Sequence, residues 1–175
     1  MDLKRTKKEL QKFAKEVIRL SKANLRRDKK IASGKLERSL DYNLKTSQNS
    51  FQLQFLFNDY GEYVDAGVDG KKKKYGQRKY GLKKYSFKSK MPPPKTLDKW
   101  VVKRNLEGVR NKQGQFVNRK SLTFAIAKSI FQKGFKPSYF FSDAFNKAFK
   151  NIDKELIEKY ALDVETFLDY TLPTK

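Results

Sequence analysis

Apolar residues at helical spacing open the chain. Leu10, Phe13, Val17 and Leu25 are separated by Lys, Arg and Glu residues, so they fall on one face of an amphipathic helix. A Ser-Gly pair at 33–34 supplies the stop signal that ends this helix. The pattern therefore predicts a long N-terminal helix that buries one stripe and leaves its cations in solvent.

The period then shortens to the alternation typical of strands. Apolar residues from Leu36 to Leu44 precede a polar turn at 46–50, and Phe51, Leu53 and Phe55 alternate with glutamines after it. Alternation on both sides of a turn predicts an antiparallel hairpin with one face packed on the long helix.

Helical patterns return in the C-terminal half of the chain. A short helix carries Trp100 as a core anchor, and a second runs over residues 122–133 between a Ser121 cap and a Gly134 stop. A third covers residues 144–149, and a last one starts near Asp153. We expect an α+β fold: a long N-terminal helix packed on a small antiparallel β-sheet, with further helices in the C-terminal half.

At 175 residues the chain is long enough for one domain with its own core. We assign residues 1–150 to a single domain into which a basic loop and Pro spacer, 71–94, are inserted. Residues 151–175 hold six acids and three cations, so they form an acidic helical extension on a basic body. Opposite charges at two ends suit ring formation or stacking on a basic partner.

The amino-acid composition limits which binding partners and reactive groups the protein can have. Lys and Arg number 41 against 19 acids, for a formal charge of +22, which predicts an anionic neighbour. The chain has no His and no Cys, so imidazole bases, Cys nucleophiles, disulfides and thiolate zinc sites are excluded. It shows neither a signal-peptide core nor an apolar stretch of spanning length, so we expect a soluble protein made in a cytoplasm.

Residues 71–90 hold ten cations and no acid, and Lys-Tyr recurs there every five residues. Their Gly-rich spacing predicts a long loop or mobile hairpin. Lysines interleaved with tyrosines suit a nucleic-acid backbone, while a solvated insertion or an arm ordered against a neighbouring subunit explains them equally well. The candidate residues for DNA or inter-subunit contact are Lys71, Lys72, Lys73, Lys74, Arg78, Lys79, Lys83 and Lys84.

Four acids between the hairpin and this loop have two interpretations. On a helical turn they share a face, which suggests a divalent-metal site and a metal-dependent nuclease. Alternatively they are solvated acids on a short helix whose core residues are Tyr60, Tyr63 and Val64. The second interpretation is favoured, because hard-cation sites draw ligands from several segments. The four acids are Asp59, Glu62, Asp65 and Asp69.

Three stretches, in this order, resemble the tail-completion (minor tail component) family of tailed bacteriophages. They are Gly34-Lys-Leu-Glu-Arg-Ser-Leu40, Tyr60-Gly-Glu-Tyr-Val-Asp-Ala-Gly67, and the run from Ala125 through Gly134 and Lys136-Pro-Ser-Tyr-Phe-Phe141 to Phe145. Trp100 lies where many members carry a helix with Trp. The resemblance covers residues 1 to about 150, and its structural motif positions are Gly34, Leu36, Ser39, Tyr60, Tyr63, Gly67, Trp100, Gly134, Pro137, Phe140 and Phe141.

The resemblance implies a structural virion protein without a catalytic site, a metal or another cofactor. Members form homo-oligomeric rings at the head–tail neck, between the portal or adaptor and the tail, around the DNA channel. The expected partners are therefore copies of the same chain, portal and tail proteins, and packaged DNA bound without sequence specificity. Its expected location is the virion neck, and the host cytoplasm during assembly. The alternative is a cellular nucleic-acid-binding protein without sequence specificity, which the charge alone also supports.

Overall fold

The computed structural model describes residues 4–29, 31–47, 50–106 and 108–171, with the backbone alone at residues 153 and 166–171. Over these ranges the helices and strands, in chain order, are α1 (Lys4–Arg27), α2 (Lys35–Arg38), β1 (Asp41–Thr46), β2 (Phe51–Leu56), α3 (Tyr60–Ala66), β3 (Val68–Asp69), β4 (Tyr85–Ser86), α4 (Asp98–Lys103), α5 (Arg119–Lys133), β5 (Gly134–Phe135) and α6 (Ser142–Thr171). Short 3₁₀ helices cover Lys79–Gly81 and Pro94–Leu97. The α+β class with a long N-terminal helix is confirmed. No helix in the described ranges is long and apolar enough to cross a membrane.

The chain divides into two compact units, where the sequence predicts a single domain over residues 1–150. The first unit takes in the described parts of Met1–Arg27, Glu37–Asn58 and Phe140–Lys175. The second takes in those of Asp28–Leu36 and Asp59–Tyr139. The first unit is built from segments at both ends of the chain.

The core of the first unit lies between α1, α6 and the hairpin. Phe13 and Val17 of α1 are buried against Ala148 and Ile152 of α6. The Phe13 ring also meets Phe55 of β2 edge-on, with centroids 6.2 Å apart. Burying one such side chain fully stabilises a fold by about 1.5–3 kcal/mol. The predicted packing of the apolar stripe of α1 on the hairpin is therefore confirmed.

The predicted antiparallel hairpin is present, formed by β1 and β2. Tyr42 pairs with Phe55 and Leu44 with Leu53, and these four side chains are half-buried on one face. Gln52 and the other polar residues between them point to solvent. Residues 48 and 49 of the predicted turn lie outside the described residues.

The two predicted C-terminal helices are a single helix. α6 runs without a break from Ser142 to Thr171, through the predicted start near Asp153 and through the predicted domain boundary at residue 150. Ile152 is buried in the core and Leu156 packs against it, so the apolar face continues across the proposed break. The sequence was misread because an acidic residue resembling a cap lies inside the helix.

A three-stranded sheet organises the second unit. β3 lies in the centre, parallel to β4 and antiparallel to β5. Gly134 starts β5 with φ of 66°, and a Cβ there would lie 2.0 Å from the Val68 carbonyl oxygen, so only glycine fits. This residue ends α5 as predicted, but Ser121 does not cap it: the cap is Asn118, whose side chain accepts the Lys120 N–H at 2.9 Å. Ser121 itself is the third residue of the helix, within its first turn.

Candidate lysine-rich interface

The segment Lys71–Lys90, here called the lysine segment, is fixed to the second unit by its backbone. The Lys71 N–H donates to the Phe131 carbonyl at 2.8 Å, and the Lys72 N–H donates to the Gln132 carbonyl at 2.9 Å. These carbonyls belong to the last turn of α5, where the helix itself supplies no N–H donors for them. The start of the segment therefore donates to the unpaired carbonyls at the end of α5, and these bonds hold it against that helix.

A buried ion pair forms the second anchor of the lysine segment. Arg78 is 3% exposed, and its Nη2 donates to Oδ1 of Asp69 in β3 at 2.8 Å. Its Nε donates to the Ala66 carbonyl and its Nη1 to the Gly76 carbonyl. The Tyr75 N–H also donates to Asp69 Oδ1, at 2.9 Å. Every contact of the guanidinium thus ties the loop to its own unit.

The charges of this pair are matched within the protein. Burial would by itself raise the pKa of the Asp69 carboxyl, but hydrogen bonds from Arg78 and the Tyr75 N–H, with the positive charge of Arg78, lower that pKa below its ordinary value. Asp69 is therefore a carboxylate and Arg78 its counter-ion. The expectation that Arg78 contacts DNA or another subunit does not fit this placement, because its guanidinium is enclosed and its hydrogen bonds are used internally.

The seven candidate lysines lie at the surface, in contrast to Arg78. All are exposed: Lys71, Lys72, Lys73, Lys74, Lys79, Lys83 and Lys84. Two of them also brace the segment, since Lys71 Nζ donates to the Lys88 carbonyl at 3.1 Å and Lys74 Nζ donates to the Gly70 carbonyl at 2.9 Å. The seven lysines are thus exposed along the lysine segment, and two of them bond to nearby backbone carbonyls.

Two of the three tyrosines of the repeat, Tyr75 and Tyr85, lie beside lysines of the segment, whereas the third, Tyr80, is 50% exposed. The ammonium of Lys73 lies 5.4 Å from the ring centre of Tyr75, and that of Lys83 lies 5.5 Å from that of Tyr85. Both distances are typical of cation–π contacts, which hold a cation in place without neutralising it. The rings therefore orient the positive charges, and both are half-buried rather than free to stack on bases.

The four acids proposed as metal ligands do not converge. Asp69 is paired with Arg78, and Glu62 accepts a hydrogen bond from the Tyr85 hydroxyl at 2.9 Å, which raises the pKa of that tyrosine. Asp65 is buried, while Asp59 is exposed. Among the described residues, no group of three or more carboxylates is placed to hold a metal ion.

Most motif positions have structural roles. Gly67 has φ of 69°, and a Cβ there would lie 2.5 Å from the backbone nitrogen of Pro137, so these two motif residues are in contact. The Ser39 hydroxyl accepts the Asn58 N–H at 3.0 Å. Gly34, like Gly67, has a positive φ. Leu36 and Phe140 are buried, and Phe141 packs on the core of the first unit.

Three aromatic motif residues lie nearer the surface than predicted. Tyr60 and Tyr63, expected in the core, are each 45% exposed on α3, whereas their neighbour Val64 is half-buried. Trp100 is half-buried, and the Arg104 guanidinium lies 5.9 Å from its ring centre. The core position of α4 is occupied by Val101, which is 0% exposed.

Sequence patterns gave no sign of the surface that these tyrosines form. With Tyr85 of β4, Phe87 just after that strand and Phe135 of β5, they line an open groove of about 450 Å³, here called the aromatic groove. Val64 and Val68 also line it. Its residues come from three separate segments, so no single stretch of sequence carries the signal.

A carboxylate at the start of α1 was missed for the same reason. Asp163 of α6 is 4% exposed, and its Oδ2 accepts the Thr6 N–H at 2.9 Å and the Thr6 hydroxyl at 2.7 Å. These residues are 157 positions apart in the chain. Asp163 thus satisfies a free backbone donor at a helix N-terminus, where a negative charge is also favoured by the helix dipole.

We compared the chain with known protein families, curated proteins and solved structures. No protein-family model, curated protein or solved structure matches the chain with significant similarity.

Proposed function

We propose that this protein is a structural virion protein of a tailed bacteriophage that forms a homo-oligomeric ring at the head–tail neck, around the DNA channel. Its partners are further copies of the chain, the portal or adaptor and tail proteins, and packaged DNA. The observation that carries the proposal is the lysine segment: seven exposed lysines on a backbone anchored by the buried Arg78–Asp69 pair.

Anchoring matters because it lowers the cost of binding. A mobile basic loop loses conformational freedom when it meets a polyanion, whereas a segment fixed beforehand does not. The hydrogen bonds of Lys71 and Lys72 to the end of α5, together with the ion pair, supply that order in the single chain. The lysine segment is therefore suited to a surface against which a charged partner moves or assembles repeatedly.

The chemistry of the segment suits DNA passage better than sequence reading. Lysine ammonium groups contact phosphates as point charges and carry no base information. Tyr75 and Tyr85 are half-buried under their own lysines, so they are poorly placed to stack on bases. A lining of a DNA channel needs this kind of contact, because the whole genome passes through it.

The alternative function, a cellular nucleic-acid-binding protein without sequence specificity, uses the same lysines. The two proposals differ in assembly: a neck protein forms a ring, alone or on portal or tail components, and a cellular binder acts without one. Native mass spectrometry and electron microscopy of the protein, with and without those components, separate the two. A ring with a DNA-sized channel supports the neck protein, and a strict monomer under both conditions overturns it.

A salt titration of duplex DNA binding tests the role of the lysine segment. Each phosphate contact contributes about −0.9 to the slope of log K against log salt concentration. Replacing Lys72, Lys73, Lys83 and Lys84 by Gln leaves the two bracing lysines in place, and should make that slope shallower by about 3 to 4.

The matched control removes the same charge from α1, through Gln at Lys7, Lys8, Lys15 and Lys22. We expect it to change the slope by less than about 1, because the cations of α1 are distributed around a packed helix and lie among acids of the same helix. An equal loss in both variants would show that net charge alone governs binding, and would remove the special role of the lysine segment.

A further inference from the structure

Residues 108–118 of the second unit form a short hairpin made almost entirely of exposed residues, here called the β-arm. Arg110 and Phe116 pair across it in an antiparallel bridge, and the Val117 N–H donates to the Val109 carbonyl at 2.9 Å. All side chains of residues 108–116 are exposed, so the β-arm takes no part in a buried core. Packing within the fold therefore does not account for the side chains that it carries.

The tip of the β-arm is fixed by its own hydrogen bonds. The Gly114 N–H donates to the Asn111 carbonyl at 3.0 Å, and Gly114 has φ of 79°, the conformation that closes a three-residue hairpin loop. The Asn111 side chain accepts the N–H groups of Gln113 at 3.0 Å and Gln115 at 2.9 Å. The tip is thus ordered before any partner binds, which lowers the cost of binding.

The β-arm presents one aromatic ring together with a cation. Phe116 is 66% exposed, and the Arg110 guanidinium lies 4.1 Å from its ring centre. Arg110 Nη1 also donates to the Gly114 carbonyl at 3.0 Å, so the guanidinium is held between the ring and the tip. A cation–π contact leaves the positive charge in place. The pair therefore offers an apolar surface and a positive charge side by side.

The charge of the β-arm is uncompensated by acids of its own. It contains Arg110 and Lys112 and no acid. Lys112 is exposed and has no hydrogen-bond or ion-pair partner among the described residues. Asp98 is bonded to Arg119, the residue after the β-arm, at 2.6 Å, and Glu107, which precedes the β-arm, lies outside the described residues. These charges favour an anionic partner.

A nucleic acid fits this surface better than another protein does. The core of a protein–protein interface is depleted of charged residues, whereas protein–DNA interfaces are more polar and much more positively charged. Residues 59–139, which include the β-arm and the lysine segment, hold 21 cations and 6 acids. A polyanion is therefore the partner that the whole of this region attracts.

The side chains near the tip match those that bind the minor groove of DNA. Minor-groove binders use Arg, Lys and Gln, and they often add an apolar side chain such as Phe. The β-arm has no Asp or Glu, the residues that recognise cytosine in the major groove. Its exposed side chains of the minor-groove kind are Arg110, Lys112, Gln113 and Phe116.

We propose that the β-arm lies in the minor groove of duplex DNA, as a second DNA contact in addition to the lysine segment. Arg110 and Lys112 contact phosphates at the walls of the groove, and the Phe116 ring packs on the sugars. Such contacts position DNA and carry little sequence information. The inference rests on the DNA binding of the proposed function, but it does not require the ring.

The first test is a salt titration of duplex DNA binding. Arg110→Gln with Lys112→Gln should make the slope of log K against log salt concentration shallower by about 2, because two phosphate contacts are lost. The matched control, Lys99→Gln with Lys128→Gln, removes the same charge from exposed positions of α4 and α5. We expect it to change the slope by less than about 0.5. Equal changes in the two variants overturn the inference.

The second test removes the ring. Phe116→Ser should weaken DNA binding by about tenfold without changing the salt slope, because burying part of a phenylalanine is worth about that factor in affinity. The matched control is Phe124→Ser, which removes a ring that is 52% exposed on α5 and should leave the affinity unchanged. Thermal melting checks that both variants are folded. An affinity of Phe116→Ser equal to that of the wild type overturns the inference.

The third test identifies the groove. Netropsin, which occupies the minor groove of A·T-rich duplexes, should weaken wild-type binding to the level of Phe116→Ser and should change the binding of that variant much less. Methyl green, which occupies the major groove, should leave the difference between the two proteins intact. The reverse pattern, with methyl green removing the difference, overturns the assignment to the minor groove.

The outcomes separate the β-arm from the proposed function. β-arm variants that bind DNA like the wild type overturn the inference, while the lysine segment and the ring are tested independently. If those variants lose ring assembly with unchanged DNA binding, the β-arm belongs to a subunit contact, and the inference is again overturned. A wild-type chain that stays monomeric with portal and tail components, yet binds DNA through the β-arm, overturns the neck function and leaves this inference standing.

Discussion

α1 and the lysine segment carry ten cations each, yet they use them differently. In α1 the cations surround a buried stripe, and several are neutralised: Lys12 binds Glu9 and Glu155, and Arg19 binds Glu16. The lysine segment contains no acid of its own. Its one arginine enters the interior to pair with Asp69, and its lysines stay at the surface.

The difference shows that a count of cations says little about what they contact. Cations on a packed helix are explained by solvation, because the apolar face already accounts for the helix. Cations on a segment with hardly any apolar face of its own need another explanation, and here the protein holds that segment in place. What distinguishes a candidate interface from a solvated face is therefore its anchoring and the lack of local counter-charges.

The largest effect on stability is expected when the internal anchor of the lysine segment is removed. Arg78→Ala should destabilise the protein by about 3–5 kcal/mol, because it leaves the buried Asp69 carboxylate without its counter-ion. Urea or guanidinium unfolding measures the change. DNA binding by the surviving folded protein should also weaken, since the lysines lose their fixed backbone.

The control for Arg78→Ala is Arg119→Ala, which breaks the pair with Asp98. Both side chains of that pair are at least 40% exposed, so we expect almost no change in the unfolding midpoint. Equal effects of the two substitutions would mean that Arg78 is not the anchor described here, and the contrast with α1 would fail.

A smaller effect is expected at Asp163, the buried carboxylate of α6 that accepts hydrogen bonds at the start of α1. Asp163→Asn should cost about 1.5–3 kcal/mol near pH 7, the range for hydrogen bonds to a charged group. Burial would by itself raise the pKa of Asp163, but hydrogen bonds from Thr6 and the nearby Arg5 lower it below the ordinary value. A lowered pKa gives stability that is complete above the ordinary carboxyl pKa and is lost as the pH falls through the folded-state value.

The difference in unfolding free energy between wild type and Asp163→Asn should therefore shrink as the pH drops below about 4. Asp59→Asn is the control, because that side chain is exposed. We expect it to leave the unfolding free energy nearly unchanged across the same pH range. A pH-independent effect of Asp163→Asn would show that the carboxylate charge at the end of α1 does not matter.

Features that repeat along one segment were predictable from the sequence. The stripe of α1, the alternation of the hairpin and the glycine after α5 each depend on neighbours within a few residues, and each is confirmed. The continuity of α6 was not predictable, because a residue resembling a cap at position 153 outweighed an apolar face whose partner, α1, lies more than a hundred residues away.

The candidate site was predictable only in part, for a similar reason. The acid-free run of lysines is visible in the sequence, and its exposure follows from its charge. The burial of Arg78 is not visible, since it depends on Asp69 lying in the neighbouring strand and on the carbonyls around it. The aromatic groove combines three segments, and the tyrosines that line it were mistaken for core residues because they follow apolar spacing.

The smallest effect on stability is expected at the exposed ion pairs of α1. Glu155→Gln breaks the bond to Lys12, two side chains that are 52% and 67% exposed. We expect the melting temperature to change by less than about 2 °C in low salt, and by nothing measurable in 1 M salt, because exposed ion pairs are weak and screened. DNA binding should stay the same, since the substitution leaves the lysine segment untouched. A large loss of stability here would mean that the cations of α1 also hold the fold through ion pairs, and that anchoring does not separate the two regions.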